Sequence, residues 1–241
     1  MLLAMLPSDS LTGKVVVVTG GTGALGTAVL RLLEAEGVIC HVPLRGGSPP
    51  EGWDLRTNNH VFLHPGIDLS DEAAVASFYG RLPELWASIH CAGGFSARPI
   101  GQVDQLKIQE ELDRNLLSSM LCCRHAVAAI RRTGRGGRLV NVASRVALEP
   151  RTGAGMTVYA AAKAAVAAFT VALAQELARE EIWVNAVAPA ILDTPANRAA
   201  MPEADRSGWV APEDVAAVIR FLISPANRCV RGAVIPVPGR G

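Results

Sequence analysis

Four consecutive valines, Val15 to Val18, run straight into Thr19-Gly20-Gly21-Thr22-Gly23-Ala24-Leu25-Gly26, after which a helical pattern starts at once. Glycines at such a place let the backbone turn tightly and let amide N–H groups face an anion at the N-terminus of the helix. The turn is therefore expected to bind a pyrophosphate. A purely structural tight turn is the competing reading. The position of the motif on the first strand, about 20 residues before the second strand ends, weighs against it.

From Lys14 onward, short β-branched runs alternate with longer helical stretches, the pattern of a parallel sheet joined by crossover helices. Strands are predicted at 15–19, 38–43, 61–64, 88–91, 138–143, 182–188 and 233–236. Helices are predicted near 25–36, 72–82, 105–132, 158–180 and 212–222, each with an apolar stripe at helical spacing. These elements predict one α/β domain over 1–241, a doubly wound Rossmann-type sheet of about seven parallel strands with helices on both faces. The site then belongs at the carboxyl ends of the strands, with 190–211 as a substrate-binding loop or lid. Half of the 241 residues are hydrophobic and few are aromatic, which suits a closely packed core of Ala, Val and Leu and excludes a disordered chain.

A formal net charge of +1, with no basic block, gives no field to collect nucleic acid or anionic lipid, so a small-molecule substrate is expected instead. Cys40, Cys91, Cys122, Cys123 and Cys229 form an odd set without metal-type spacing. They read as small core residues in a reducing compartment, and no metal site is expected. Residues 1–6 are apolar but lack the basic and long apolar regions of a signal peptide, and no uninterrupted apolar run reaches the roughly 18 to 20 residues of a spanning helix. A cytoplasmic protein without a membrane partner is the expectation.

The chemistry-bearing candidates lie in the second half. Tyr159 and Lys163 are four residues apart, so on a helix both project from one face. A free phenol with a pKa near 10 is a poor base at neutral pH, and a neighbouring ammonium, together with the positive nicotinamide of an oxidised dinucleotide in the complex, is expected to lower it so that Tyr159 serves as general acid or base. Ser144 follows a predicted strand and sits 15 positions before the tyrosine, where its hydroxyl can bond a substrate oxygen. Asn115 is a mediocre helix former inside a long helical stretch. The plain alternatives are a chance surface pair, a turn serine and an exposed helix asparagine.

Taken together, Thr19 to Gly26, Ala92-Gly93, Asn115, Ser144, Tyr159-x-x-x-Lys163 and Asn185-Ala186-Val187-Ala188-Pro189 resemble the short-chain dehydrogenase/reductase family in order and spacing over almost the whole chain. The departures are Ala24 and Ala190 where glycine is usual, His90-Cys91 in place of two asparagines, and a slightly long interval between Ser144 and Tyr159. The resemblance implies hydride transfer between NAD(P)(H) and a small carbonyl. Ser144 would polarise the acceptor, Tyr159 would exchange the proton, Lys163 would hold the nicotinamide ribose, and Asn115 would hold a water that relays protons. It also implies a cofactor surface of Gly20, Thr22, Gly23, Ala24, Leu25, Gly26, Asp68, Leu69, Ala92, Gly93, Gly94, Pro189, Ile191 and Thr194.

The second predicted strand ends at Val42-Pro43-Leu44-Arg45 without the carboxylate that would accept from the adenosine ribose of NAD(H). Arg45 can pair with a 2'-phosphate instead, which favours NADP over NAD modestly. For Asp68, capping of the helix that starts near Asp71-Glu72 is the plain alternative to an adenine contact. Several stretches, above all Leu192-Asp193-Thr194-Pro195-x-Asn197-Arg198, are similar to quinoid dihydropteridine reductase, so a quinonoid dihydropterin stands beside a ketone as the substrate. A cofactor-binding regulatory or sensor protein without turnover is the alternative function; retention of both Tyr159 and Lys163 favours an enzyme. A halohydrin-type lyase would spoil the glycine turn, which is intact. The apolar helical stretches around 112–130 and 159–177, with the resemblance, imply a homodimer or homotetramer.

Overall fold

The computed structural model describes residues 9–55 and 60–239, so residues 1–6, read above as lacking the features of a signal peptide, lie outside them. Seven strands, β1 (Val15–Thr19), β2 (Ile39–Pro43), β3 (Val61–His64), β4 (Ala87–His90), β5 (Gly137–Val142), β6 (Ile182–Pro189) and β7 (Val234–Val237), form one sheet in the order β3-β2-β1-β4-β5-β6-β7. Every adjacent pair is parallel. The predicted strands are all present, displaced by one residue at several ends.

The valine run explains the central position of β1. Val16 and Val18 are buried against one helix layer and Val17 against the other, since successive side chains leave a strand on opposite faces. Each such burial stabilises the fold by roughly 1.5–3 kcal/mol. The first layer is α1 (Ala24–Ala35) and α8 (Pro212–Ile223), which contribute Leu30, Leu33, Val215 and Ile219. On the opposite face α2 (Glu72–Gly80), α4 (Ser118–Arg131) and α6 (Thr157–Glu176) supply Val75, Phe78, Cys122, Ile130, Val166 and Ala174.

Two helices differ from the periodicity reading. The stretch 105–132 is not one helix but α3 (Gln105–Leu112), a π-helical turn over Asp113–Leu117 and then α4. Asn115 lies in that turn with its side chain fully buried, and its Nδ2 donates to the Glu111 carbonyl one turn back at 3.2 Å. A polar side chain competing for a helix carbonyl in this way loosens the regular ladder. The second, 158–180, ends as α6 at Glu176, and a 3-10 turn over Ala178–Glu180 leads to Glu181 at φ 56°. By length and a mean hydropathy of 1.6, α6 could cross a bilayer, a property the sequence reading did not credit to it. Here its apolar residues Val166 and Ala167 pack on Ala143, Ala186 and Ala188 of the sheet region.

The chain runs from β1 outward to β2 and β3, then returns to place β4 on the other side of β1. This reversal opens a crevice beyond the carboxyl ends of β1 and β4, the position where α/β sheets bind ligands.

Candidate active site

The glycine turn closes the crevice from below. Gly20 adopts φ 65°, and a Cβ there would lie 2.6 Å from the Ala92 amide nitrogen at the end of β4. At Gly26 a Cβ would overlap the Gly20 carbonyl oxygen. Glycine at both positions lets the first turn of α1 come down onto the strand ends. Gly23 occupies the N-cap without a capping side chain, and the amides of Ala24, Leu25 and Gly26 have no acceptor among the described residues. Gly23 and Ala24 are exposed at the rim, whereas Leu25 and Gly26 are buried beneath it.

Above the turn lies a cavity of about 700 Å³. Of the predicted cofactor residues, Gly20, Thr22, Arg45, Asp68, Leu69, Ala92 and Gly93 line it. Arg45 stands largely in solvent, with Nε 3.4 Å from Asp68 Oδ2. Asp68 Oδ1 accepts from the Ser70 amide and hydroxyl at 2.9 and 2.6 Å. Those bonds first, and the Arg45 charge after them, hold the Asp68 carboxyl below its ordinary range. Asp68 does not cap α2: Asp71 does, accepting from the Ala73 amide at 2.9 Å.

Tyr159 and Lys163 share one face of α6, with Lys163 Nζ 5.9 Å from the phenol ring centroid. The ammonium is buried and donates to the Val142 carbonyl at 2.8 Å. Burial pulls its pKa down to about 8, against the Cys91 thiol and the Glu111 carboxylate, which push it up. Among the protein's own groups the lowering expected from the ammonium is not the net result. Burial raises the phenol, a hydrogen bond with Ser144 lowers it, Glu111 raises it again, and the net direction is upward. The Lys163 head group is turned to the end of β5, where it bonds the Val142 carbonyl. The slightly long interval between Ser144 and Tyr159 is taken up by α5 (Arg145–Leu148) and a 3-10 turn over Pro150–Gly153.

Asn115 reaches the same place from the π-helical turn. Its Oδ1 accepts from the Gly94 amide at 3.1 Å, and a Cβ on Gly93 would lie 2.8 Å from that oxygen and 3.4 Å from Lys163 Nζ. Gly93 thus lies against Asn115 and Lys163 because it has no side chain in the way. A second cavity of about 230 Å³ opens beside Tyr159, lined also by Phe95, Ser96, Val103, Glu111, Arg114 and Met156. The Phe95 ring stands edge-on to Tyr159 at 5.1 Å between centroids.

Pro189, Ile191 and Thr194 are at the carboxyl end of β6, outside the lining of the larger cavity. Thr194 caps α7 (Pro195–Ala200), accepting from the Asn197 amide at 3.1 Å. The 190–211 segment is tied at its ends by Val210 N donating to Ile191 O at 2.9 Å and Asp193 N to Val210 O at 2.7 Å. The sequence reading missed Glu111, Ser96 and Arg114; the i, i+4 spacing of Glu111 and Asn115 is the signal that joins the first of them to the site.

Residues 14–205 match the short chain dehydrogenase family. The chain is 32% identical to cis-4-hydroxycyclohexanecarboxylate dehydrogenase of Sinomonas cyclohexanicum, over 96% of this chain and 97% of that protein. It is 31% identical to a 3-oxoacyl-(acyl-carrier-protein) reductase of Pseudomonas aeruginosa, over 95% and 98% of the two chains. Among solved structures, a short-chain type dehydrogenase/reductase from Mycobacterium ulcerans superposes with a TM-score of 0.85 at 28% identity, covering 95% of this chain and 89% of that one. With the seven-stranded parallel sheet, the glycine turn and these relatives in view, the chain belongs to the short-chain dehydrogenase/reductase family and is an oxidoreductase.

Proposed function

We propose that the chain interconverts a small ketone and its secondary alcohol with NADP(H), using Tyr159 as the proton donor and acceptor. The observation that carries this reading is the Tyr159–Lys163 pair on one helix face, between a compact cavity and a glycine cradle.

The residues present fit a nicotinamide dinucleotide. Uncapped amides of Ala24, Leu25 and Gly26, with Gly20, Thr22 and Gly23, suit a pyrophosphate at the positive end of α1. Arg45 suits the 2'-phosphate of NADP(H), since no carboxylate ends β2, and Asp68 and Leu69 suit the adenine. Ala92, Gly93 and Gly94 form a wall with no side chain larger than a methyl, Lys163 would hold the nicotinamide ribose, and Pro189, Ile191 and Thr194 would flank the nicotinamide. Bound there, the dinucleotide supplies or takes up the hydride.

Tyr159, with its pKa raised by burial, keeps its proton at neutral pH and donates it to the substrate oxygen during reduction. Ser144 gives that oxygen a second hydrogen bond as negative charge grows on it. Lys163 would take up the proton from a water that Asn115 holds beside the π-helical turn. Phe95, Val103 and Met156 give the smaller cavity an apolar side, and its size supports a compact substrate; one relative is named for a hydroxycyclohexanecarboxylate. The 190–211 segment serves as the substrate loop. Exposed Met120 on α4 and Val171 on α6 support association of copies through these helices into a dimer or tetramer. The buried free thiols of Cys40, Cys122 and Cys123 support a cytoplasmic location.

The test is oxidation of NADPH and NADH with a panel of cyclic ketones, 3-oxo thioesters and a quinonoid dihydropterin. Reduction of a compact ketone with NADPH preferred is expected. Tight cofactor binding without turnover across the panel would favour the sensor function instead.

A further inference from the structure

Glu111 is a carboxylate buried at the end of α3, 3% exposed, on the wall of the cavity that holds Tyr159. Three side chains serve it. Asn115 Nδ2 donates to Oε1 at 2.8 Å, while Ser96 Oγ and Arg114 Nη2 donate to Oε2 at 2.7 and 2.8 Å. Two of these partners belong to separate parts of the site: Asn115 receives the Gly94 amide, and Ser96 ends the same 94–96 segment. One carboxylate therefore fastens the π-helical turn to the loop that walls both cavities. A buried charge left without partners costs several kcal/mol, so such a group is retained with its donors in place.

We infer that Glu111 is a positioning residue for the reaction, which fixes the Asn115 amide and the 94–96 loop and sets one negative charge against the Tyr159–Lys163 pair. This rests on the role of Tyr159 under the proposed function. Other ionisable groups face the region. Cys91 comes from the end of β4 and touches Lys163 electrostatically, but it is neutral at physiological pH, its thiol pushed up to about 12 by burial. Lys107 is paired with Asp104 at 2.9 Å, and Arg114 with Glu111 itself. Arg98 and Glu110 stand exposed at the outer lip with opposite charges. Glu111 is the group that acts on both members of the pair, raising each.

The test uses Glu111→Gln, which keeps the shape and one acceptor oxygen while removing the charge and turning the other acceptor into a donor, and compares pH profiles of ketone reduction and alcohol oxidation with wild type. Removing a negative charge beside the phenol stabilises the phenolate. The alkaline limb of reduction and the acidic limb of oxidation should therefore both move to lower pH, by about 0.5 to 1 pH unit. Glu111→Ala, which strips the anchor as well, should lower kcat at least tenfold with a smaller change in KM. Profiles for Glu111→Gln that superimpose on wild type would overturn the inference, and because that variant has the same shape, a misfolded Glu111→Ala does not weaken the test. Tyr159→Phe run in parallel separates the two claims: if it turns over, the proposed function fails; if it is inactive and the Glu111→Gln limbs stay in place, this inference alone fails.

Discussion

Replacing His90 by asparagine tests how the floor of the cofactor crevice is held. His90 is buried at the end of β4, immediately before Cys91-Ala92-Gly93, in a chain of hydrogen bonds whose direction can be worked out. Asn141 Nδ2 donates to Thr170 Oγ1 at 2.9 Å, so its Oδ1 is the atom that accepts from His90 Nδ1 at 2.7 Å. With the ring proton assigned to Nδ1, Nε2 must accept from Ser88 Oγ at 2.9 Å, and the Tyr79 hydroxyl then donates to Ser88 at 2.8 Å. A second proton on the ring has to reverse the Ser88 hydroxyl and place a charge out of reach of water. Burial accordingly pulls the His90 pKa down to about 4 from 6.5, with the Asn141 bond opposing it. Between those values the unfolded chain binds a proton that the folded chain refuses, so stability is full above pH 6.5, declines as pH falls, and stops declining below about 4. The whole gap is worth roughly 3 kcal/mol. Urea unfolding across this range should show wild type losing roughly 3 kcal/mol more than His90→Asn. His41, also lowered to about 4, and His64 titrate in both proteins and cancel in the difference. Equal pH dependence in the two proteins would refute the assigned tautomer and the dry environment.

Ser144→Ala removes the second donor to the substrate oxygen and should lower kcat by about 100-fold with cofactor affinity unchanged, measured by initial rates and fluorescence titration. Arg45→Asp places a carboxylate at the end of β2; because Arg45 is largely exposed its contact with a 2'-phosphate is worth about 1–2 kcal/mol, so NADPH efficiency should fall about tenfold and NADH efficiency rise. Gly26→Ala puts a Cβ into the Gly20 carbonyl and should cost about 1–3 kcal/mol in denaturant unfolding and abolish cofactor binding; a variant with wild-type affinity would show that the turn can give way.

The sheet was legible because its strands are short, β-branched and bounded by turns, whereas the same continuous apolar runs carry no alternation to mark their ends, which are displaced by one residue in several cases. The glycine turn was legible for a related reason: Gly20 and Gly26 are required by backbone contacts that follow from bringing a helix down onto a strand end. What stayed hidden depended on side chains meeting across elements. The π-helical turn at Asn115 arises from a bond to the Glu111 carbonyl that helical periodicity does not encode. The upward shift of Tyr159 is not legible because spacing places Lys163 on the correct face but does not encode how deeply the phenol is buried, nor that a carboxylate from α3 enters the same pocket, nor that Nζ is turned toward Val142. Asp68 was ambiguous between two roles until Asp71 was found in the cap.

The central claim is that the Tyr159 phenol carries the proton while the glycine cradle holds the cofactor, two functions on separate elements. Single-turnover NADPH oxidation by Tyr159→Phe, read beside NADPH binding by the same variant, tests it most directly. Affinity within about twofold of wild type and a hydride-transfer rate at least 1000-fold slower are predicted. Hydride transfer at the wild-type rate in that variant would contradict the account.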